Sequence, residues 1–313
     1  MSTKKATMRP KNDKKNANRA VKGVNAAHHH HKKGDKNGKG ASGKAPERRA
    51  DKDKRRMEGL RAPNNSYFLW GHHALGAALA NQNRRIKALY ATMDGRDKLV
   101  ALLSKLPQER IAALPDIKLV ERHQLDHLQG AAPDGGKIVH QGIVSAVAPL
   151  DSPHLDDFLD ALDDSKPHRL MVLDQVSDPR NVGAILRSAR AFGTSAIVMQ
   201  DRHAPEETGG LARTAVGALE EVTLIRVVNL ARALEALKES HFHIAGLDMD
   251  GTTDTKRAAQ AERLALVMGS EGKGMRRLTA EACDEVLAIA MADSSESLNV
   301  SVAAAIMMHS TQA

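Results

Sequence analysis

The sequence predicts an α/β protein whose second half forms a mostly parallel β-sheet with helices on both faces. From residue 168 onward, short apolar runs of strand length alternate with longer stretches of helical periodicity. The runs are apolar almost throughout, as expected of strands that are buried on both faces. The chain has 313 residues, 42% of them apolar, which is enough for about two domains with substantial cores.

The elements of the second half follow from this alternation. The predicted strands are 170–173, 196–199, 222–228, 243–247, 264–268 and 286–290, and the predicted helices between them are 182–192, 210–219 and 230–240. A last helix, 300–308, is apolar on nearly every face, which predicts that it is buried. In parallel sheets the ligand crevice lies outside the carboxyl ends of the strands, so the loops that follow strands are the candidates for a site.

The first half predicts a smaller α/β domain at residues 65–150. Its predicted elements are helices at 73–80 and 97–106 and strands at 86–92, 118–120 and 142–147. Residues 151–167 carry apolar residues at helical spacing between two prolines, which indicates a linker or connecting helix. The second domain then spans residues 168–313.

The positive charge of the chain is concentrated at its start. The formal net charge is +8, but residues 1–62 hold 20 Lys and Arg against 6 Asp and Glu, which leaves 26 and 32 for the rest. This tail is rich in Gly, Asn and Ala and has few large apolar residues, so we expect it to be disordered. It would either attract phosphate backbones in a salt-dependent manner or only keep the protein in solution; composition favours neither.

Composition also narrows the possible functions. Aromatic residues make up 2% of the chain and are scattered, which argues against modules that stack RNA bases on adjacent rings. The single cysteine, Cys283, excludes an intramolecular disulfide and a Cys-rich metal site, and we expect no metal. The sequence contains no signal-peptide core and no run of about 18 apolar residues. We therefore expect a cytoplasmic protein that has no membrane partner.

The first loop that follows a strand is 174–183, with the sequence DQVSDPRNVG. It leads into a predicted helix with Asn181 at its start and Arg187 six residues further on. A helix start with an amide and a guanidinium nearby suits a phosphate or a carboxylate. The alternative is that Asn181 only caps the helix and that Arg187 pairs with a surface acid.

The second loop is 269–274, GSEGKG, and the third is 297–301, SLNVS. Three glycines allow the backbone of the second loop to approach a ligand closely, with Glu271 as a lone carboxylate; the alternative is a flexible turn. The spacing of a nucleotide phosphate loop is absent, and so is the glycine fingerprint of a dinucleotide site. Ser297 and Asn299 stand where the last helix opens, either as caps or as site residues.

In this order and spacing, the three loops resemble the signature motifs of the SpoU (TrmH-like) branch of the SPOUT RNA methyltransferases. The motifs are Asp-Pro-x-Asn-x-Gly followed by Arg, a strand followed by Gly-x-Glu-Gly-x-Gly, and Ile-x-Met followed by Ser-Leu-Asn-Val-Ser. The resemblance covers residues 168–313. Residues 69–71 and 140–142 are similar to that family's substrate-binding domain, which favours its rRNA-modifying members.

The resemblance implies a trefoil knot at the carboxyl end and a homodimer whose active sites are completed across the interface. It also implies S-adenosylmethionine as the cofactor, beside the loop 200–203. The residues that match the family's cofactor positions are Gly269, Ile289 and Leu298. The residues that match its polar site positions are Asn181, Arg187, Glu271, Ser297 and Asn299. Ala290 and Asp293 stand where the family usually has Pro and Gly, a departure that concerns the shape of the cofactor loop.

The implied reaction is methyl transfer to a ribose 2′-oxygen of a guanosine in 23S rRNA. A 2′-hydroxyl is a poor nucleophile, so the site must remove its proton and align it with the methyl group. The arginine that matches Arg187 is the family's proposed base or its relay. Arginine has a pKa above about 12, so phosphate clamping and stabilisation of the alkoxide are at least as suitable roles.

The resemblance gives the other polar residues supporting roles. Asn181 and Asn299 would position groups, and Ser297 would form a hydrogen bond near the target. Glu271 would orient Arg187 or the loops of the knot. Two alternatives stay open: methylation of tRNA, and a non-catalytic RNA-binding or ribosome assembly factor on the same fold. The second would require lost site residues, and all five polar positions are present. The expected partner is RNA and not DNA.

Overall fold

The computed structural model describes residues 59–128, 138–202, 204–292 and 297–312. Within these ranges the chain forms two β-sheets, one of four strands and one of six. The predicted basic tail lies outside the described residues except for its last four. Of those four, Leu60 and Ala62 pack against a core of the four-stranded sheet.

The four-stranded sheet is formed by the first half of the chain. Its strands are β1 (Tyr67–Trp70), β2 (Ile86–Ala91), β3 (Ile117–Leu119) and β4 (Ile143–Val147), in the spatial order β1-β4-β2-β3. β4 runs antiparallel to β1 and β2, whereas β3 is parallel to β2. The helices of this unit are α1 (His72–Ala80), α2 (Met93–Leu103), α3 (Gln108–Ala112) and α4 (Arg122–Asp126).

Two elements of this unit differ from the sequence prediction. The prediction missed β1, because four residues followed at once by a helix are too few to show a strand pattern; its pairing with β4 holds it in the sheet. Helix α2 begins at Met93 and not near residue 97. The reason is that the Thr92 hydroxyl caps the helix by accepting a hydrogen bond from the Gly95 N–H at 3.1 Å.

The six-stranded sheet confirms the prediction of a parallel sheet, since every neighbouring pair in it is parallel. Its strands are β5 (His168–Leu173), β6 (Ala196–Gln200), β7 (Thr223–Val227), β8 (His243–Thr252), β9 (Arg263–Met268) and β10 (Glu285–Leu287). Their spatial order is β10-β8-β9-β5-β6-β7. β8 continues past its predicted end, whereas β10 ends before its predicted end.

Helices cover both faces of this sheet. They are α5 (Leu155–Asp160), α6 (Pro179–Ala191), α7 (Gly209–Ala215), α8 (Leu230–Glu239), α9 (Lys256–Gln260), α10 (Arg277–Glu281) and α11 (Val300–Ser310). Met171 and Leu173 of β5 point to one face and pack in a core with α6, α7 and α11. Leu170 and Val172 point to the other face and pack with α5 and α8, as the alternation of side chains along a strand requires.

Two of these helices add detail to the predicted elements. In the segment 151–167, predicted as a linker or connecting helix, α5 buries Leu155 and Leu159 against the sheet, so it belongs to the core of this unit. Helix α7 ends at Ala215, before the predicted end at 219. It ends there because Val216 adopts a left-handed conformation with a φ of 52°.

The last helix, α11, is buried on one face only. Ala304 and Met308 are buried, whereas Val302 is 46% exposed and Ile306 is 36% exposed. The prediction of a helix buried on nearly every face is therefore wrong for the single chain. Val302 and Ile306 are four residues apart on the helix, so they form one exposed apolar stripe.

A buried arginine joins the two units. The guanidinium of Arg84, just before β2, donates hydrogen bonds to Glu220 at 2.8 Å and to Glu207 at 3.0 Å, two acids of the second unit. Burial would lower the pKa of Arg84, but the hydrogen bond to Glu220 and the nearby negative charges raise it above its usual value. Burial also raises the pKa of Tyr67, whose hydroxyl donates to Glu207 at 3.2 Å. The apolar core runs through both units, so the two sheets form one packed body.

Replacing Arg84 by Met should lower the free energy of unfolding by about 3–5 kcal/mol, because two buried carboxylates lose their partner. Urea unfolding measures this change. Arg85→Met is the matched control: the Arg85 guanidinium is exposed and pairs with the exposed Asp151 at 3.4 Å, so its loss should cost less than about 1 kcal/mol. Equal losses in the two variants would show that Arg84 does not hold the units together.

Candidate functional site

The carboxyl ends of β5 and β9 bring two of the three predicted loops together. The strands pair with Leu173 opposite Met268, and the Asp174 N–H donates to the Met268 carbonyl at 2.8 Å. The loops 174–183 and 269–274 therefore leave the sheet side by side. They lie at the edge where parallel sheets bind their ligands.

Asp178, and not Asn181, caps helix α6. The helix begins at Pro179, and the Asp178 carboxylate accepts a hydrogen bond from the Arg180 N–H at 2.8 Å. The Arg180 guanidinium pairs with the same carboxylate at 2.9 Å and lowers the pKa of Asp178 below its usual value. The alternative that Asn181 only caps this helix is therefore wrong, whereas its predicted place at the helix start is confirmed. Asn181 lies inside the first turn, and its side chain does not serve as the cap.

Asn181 is bonded to the third motif instead. Its Oδ1 accepts a hydrogen bond from Nδ2 of Asn299 at 3.1 Å. Asn299 is also the cap of α11, because its Oδ1 accepts from the Ser301 N–H at 3.0 Å. One side-chain amide therefore starts the last helix and ties it to the first turn of α6.

The loop 269–274 is closed on itself. Ser270 and Gly274 exchange backbone hydrogen bonds at 3.0 and 3.1 Å. Gly272 and Gly274 have φ values of 83° and 63°, which glycine adopts readily. A Cβ on Gly269 would lie 2.0 Å from the Gly274 carbonyl carbon, so no larger residue fits there without moving the loop. The glycines are thus required by the shape of the loop.

A cleft of about 370 Å³ opens beside this loop. Its walls come from β8, the glycine loop, the segment after β10 and the start of α11. The lining includes the three predicted cofactor positions and two of the predicted polar positions, namely Gly269, Ile289, Leu298, Glu271 and Ser297. Apolar side chains combined with a loop of backbone groups suit a small molecule that has both apolar and polar parts.

Three predicted site residues do not line this cleft: Asn181, Arg187 and Asn299. Arg187 is exposed on α6, and it makes no hydrogen bond or ion pair in the part of the chain that the structure describes. Its neighbours on the helix are paired, Arg180 with Asp178 and Arg190 with Glu221 at 2.8 Å. Arg187 therefore differs from both in having its guanidinium available.

Sequence reasoning missed an ion pair behind the glycine loop, between the buried Asp174 and the half-exposed Arg276. Asp174 is fully buried and accepts hydrogen bonds from the Arg276 backbone N–H at 2.9 Å and from its Nε at 2.8 Å. Gln200, the last residue of β6, lies beside the same guanidinium and accepts from it when its amide oxygen faces that group. The available signal was an acid directly after a fully apolar strand end, since a carboxylate buried there needs a partner.

Some of the predictions concern residues or groups that are not part of the cleft. His203 of the predicted cofactor loop and the departure at Asp293 lie outside the described residues. Among the described residues, no group of three or more His, Cys, Asp or Glu is arranged to hold a metal ion. No described helix has the length and apolar character needed to cross a membrane.

Comparison of the sequence with known proteins identifies a matching family and several relatives. The model of the SpoU rRNA Methylase family matches residues 168–309. The chain is 37% identical over 244 residues to the 23S rRNA (guanosine-2′-O-)-methyltransferase RlmB of Escherichia coli K12, a match that covers 78% of this chain and 96% of that protein. It is 38% identical to the RlmB of Vibrio vulnificus, with 77% and 94% covered.

A solved structure with the same fold is the SpoU methyltransferase AviRb from Streptomyces viridochromogenes in complex with AdoMet. It matches with a TM-score of 0.60 at 19% sequence identity, covering 79% of this chain and 89% of that chain. At this identity the likeness concerns the fold, an α/β protein with a mostly parallel sheet.

Asn299→Ala should lower the free energy of unfolding by roughly 0.5–2 kcal/mol, because α11 loses its cap. Asn299→Asp keeps a capping oxygen at the positive end of the helix, so its stability should stay close to that of the original protein. Asp cannot donate to Asn181 as the amide does. If urea unfolding shows equal losses in both variants, the bond to Asn181, and not the cap, stabilises this junction.

Proposed function

Because the chain belongs to the SpoU rRNA methylase family, we propose that it transfers the methyl group of S-adenosylmethionine to the ribose 2′-oxygen of a guanosine in 23S rRNA. The single observation that carries this proposal is the cleft between the closed glycine loop and the start of α11. The substrate is suggested by relatives that are named for this reaction and match over 94% or more of their own length.

The cleft fits the cofactor. Its volume of about 370 Å³ lies within the range of about 300–1,000 Å³ that is common for small-molecule sites. Gly269, Ile289 and Leu298 would hold the cofactor, and the absence of a side chain at Gly269 lets the backbone lie close to it. When bound, S-adenosylmethionine supplies an electrophilic methyl group on a sulfonium centre.

The residues of the third motif would align the ribose. Ser297 lines the cleft and is exposed, so its hydroxyl can form a hydrogen bond near the target 2′-oxygen. The bond between Asn181 and Asn299 holds the start of α11 against α6, which fixes the backbone two residues from Ser297. Alignment of this kind removes much of the entropic cost of bringing nucleophile and methyl group into line.

Arg187 would contact the RNA. Its exposed guanidinium has no partner among the described residues, and a guanidinium suits the bidentate binding of a phosphate. Beside the target ribose, its positive charge would stabilise the negative charge that develops as the 2′-oxygen loses its proton. Glu271 lines the cleft but does not pair with Arg187 within this chain, so its orienting role would act on the loop or across an interface.

We also propose a homodimer formed through α11. Val302 and Ile306 expose an apolar stripe on the helix whose start borders the cleft. Exposed apolar patches of this kind are a feature of protein interfaces. A second copy covering the stripe would approach the cleft, which would explain why Arg187 does not line the cleft of its own chain.

The topology supports the proposed trefoil knot. β10 lies at one edge of the sheet beside β8, whereas α11 packs against α6 and β9 nearer the middle. The described residues at the two ends of the connection between them, among them Ile289 and Leu298, line the same cleft as the glycine loop. Threading of the connection beneath the loop would produce the knot, a rare exception to ordinary topology.

The four-stranded unit, predicted as residues 65–150, is proposed to bind the RNA substrate together with the basic tail. Its β1 packs against α7 of the catalytic unit, and Arg84 holds the two units together. RNA bound to this unit would thus have a fixed position relative to the cleft. Ribosomal RNA as substrate implies action in the cytoplasm.

The function is tested by cofactor binding and by mapping of the missing modification. We expect the purified protein to bind S-adenosylmethionine in calorimetry, and RNA from a deletion strain to lack one guanosine 2′-O-methyl group in 23S rRNA. A methyl group missing from tRNA instead would identify a tRNA enzyme. Absence of cofactor binding would favour a non-catalytic RNA-binding factor.

Arg187→Ala should lower the kcat of methylation by roughly 10²–10³-fold or more. A loss of this size is expected when one group that stabilises developing charge is removed. Binding of S-adenosylmethionine should be unchanged, because Arg187 does not line the cleft. Arg190→Ala on the same helix is the control, since Arg190 is already paired with Glu221. Turnover at the original rate in the Arg187 variant would refute its assignment.

A further inference from the structure

The buried carboxylate of Asp174 binds both the backbone and the side chain of Arg276. Asp174 directly follows β5, is fully buried, and accepts hydrogen bonds from both the backbone N–H and the Nε of Arg276. The Arg276 side chain is 44% exposed, so it is the loss of Arg276 that would leave a buried carboxylate without its charged partner, and this favours the contact once the surrounding structure forms. Because the backbone N–H of Arg276 takes part, the pair fixes the main chain at residue 276 as well as the side chain.

Arg276 stands where the chain leaves the glycine loop. The entry to the loop is fixed because Met268 is paired in β9, and the loop is closed by the bonds between Ser270 and Gly274. The exit is fixed only two residues later, by Arg276 on Asp174. Gln200 at the end of β6 lies against the same guanidinium, so the exit is tied to the ends of two strands.

Arg276 does not itself line the cleft, although every residue from Gly269 to Gly274 does. From this arrangement we propose that Arg276 is a positioning residue for the cofactor: its pair with Asp174 holds the glycine loop in the shape that binds S-adenosylmethionine. The inference rests on the proposed function and adds to it the device that keeps the cofactor loop closed. It assigns to Asp174 and Arg276 no contact with either substrate.

The expected loss of cofactor affinity follows from the fraction of molecules in which the glycine loop is closed. If the loop keeps its closed shape in only about 1–10% of molecules once the pair is broken, the apparent Kd for S-adenosylmethionine rises roughly 10- to 100-fold. Once the cofactor is bound and the loop has closed around it, the methyl transfer itself is unaffected. At saturating cofactor kcat should therefore stay within about twofold of the original value, and the KM for RNA should not change.

The test uses the full chain and three variants: Arg276→Gln, Asp174→Asn, and the two changes together. Each is measured by calorimetry with S-adenosylmethionine, by steady-state kinetics and by thermal unfolding. The double variant contains no unpaired buried charge, so it keeps the test valid if Arg276→Gln folds poorly. Arg277→Gln is the matched control, because the neighbouring Arg277 pairs at 2.7 Å with Glu281, an exposed carboxylate, and not with a buried one.

We expect a 10- to 100-fold weaker binding of the cofactor in all three variants, with no further loss in the double variant, and unchanged binding in Arg277→Gln. A stable double variant that binds S-adenosylmethionine as tightly as the Arg277→Gln protein, while the original protein methylates RNA, overturns the positioning role and leaves the proposed function standing. A loss confined to kcat also overturns it. Failure of the original protein to bind the cofactor would remove both.

Discussion

The parallel pairing of β5 with β9 is the constraint on which the whole site depends. Six residues of each strand pair in register, from His168 opposite Arg263 to Leu173 opposite Met268. A shift by one residue would turn every side chain of β5 to the opposite face. It would also move Asp174 away from the glycine loop. Because both faces of β5 are packed against other elements, a shifted register would disrupt those contacts. The packing of the core therefore determines the geometry of the site.

This same burial explains why the sheet was predictable and where prediction failed. Strands covered on both faces appear as short apolar runs, and the parallel sheet and the family assignment are confirmed. β1 was missed because its place depends on pairing with β4, a strand more than 70 residues later. The apolar α11 looks like a core helix in sequence, yet Val302 and Ile306 are exposed, because composition does not show which side of an apolar helix packs against the core.

The candidate site was predictable to the extent that it depends on local backbone. The closed loop follows from Gly269, whose neighbours leave no room for a Cβ, and from Gly272 and Gly274, whose φ values are positive. The pairs that connect the loops are different. Asn181 and Asn299 are 118 residues apart and Asp174 and Arg276 are 102 apart, so only the tertiary register shows that they meet. Asn181 and Asn299 were found through a motif, whereas Asp174 and Arg276 belong to no recognised motif and were missed.

Under the proposed function, the arginines of α6 would let an acidic body receive RNA at one point. Outside the tail the chain carries 26 basic and 32 acidic residues, so its overall field does not favour a polyanion. Arg180 and Arg190 are neutralised locally by their carboxylate partners. Arg187 has no such partner among the described residues, so its charge is not cancelled at short range. A single uncompensated cation acts over about a Debye length, roughly 8 Å at physiological ionic strength, which makes it a means of placing one phosphate and not of attracting the RNA. Attraction over longer distances would fall to the basic tail, so encounter and alignment are assigned to different parts of the chain.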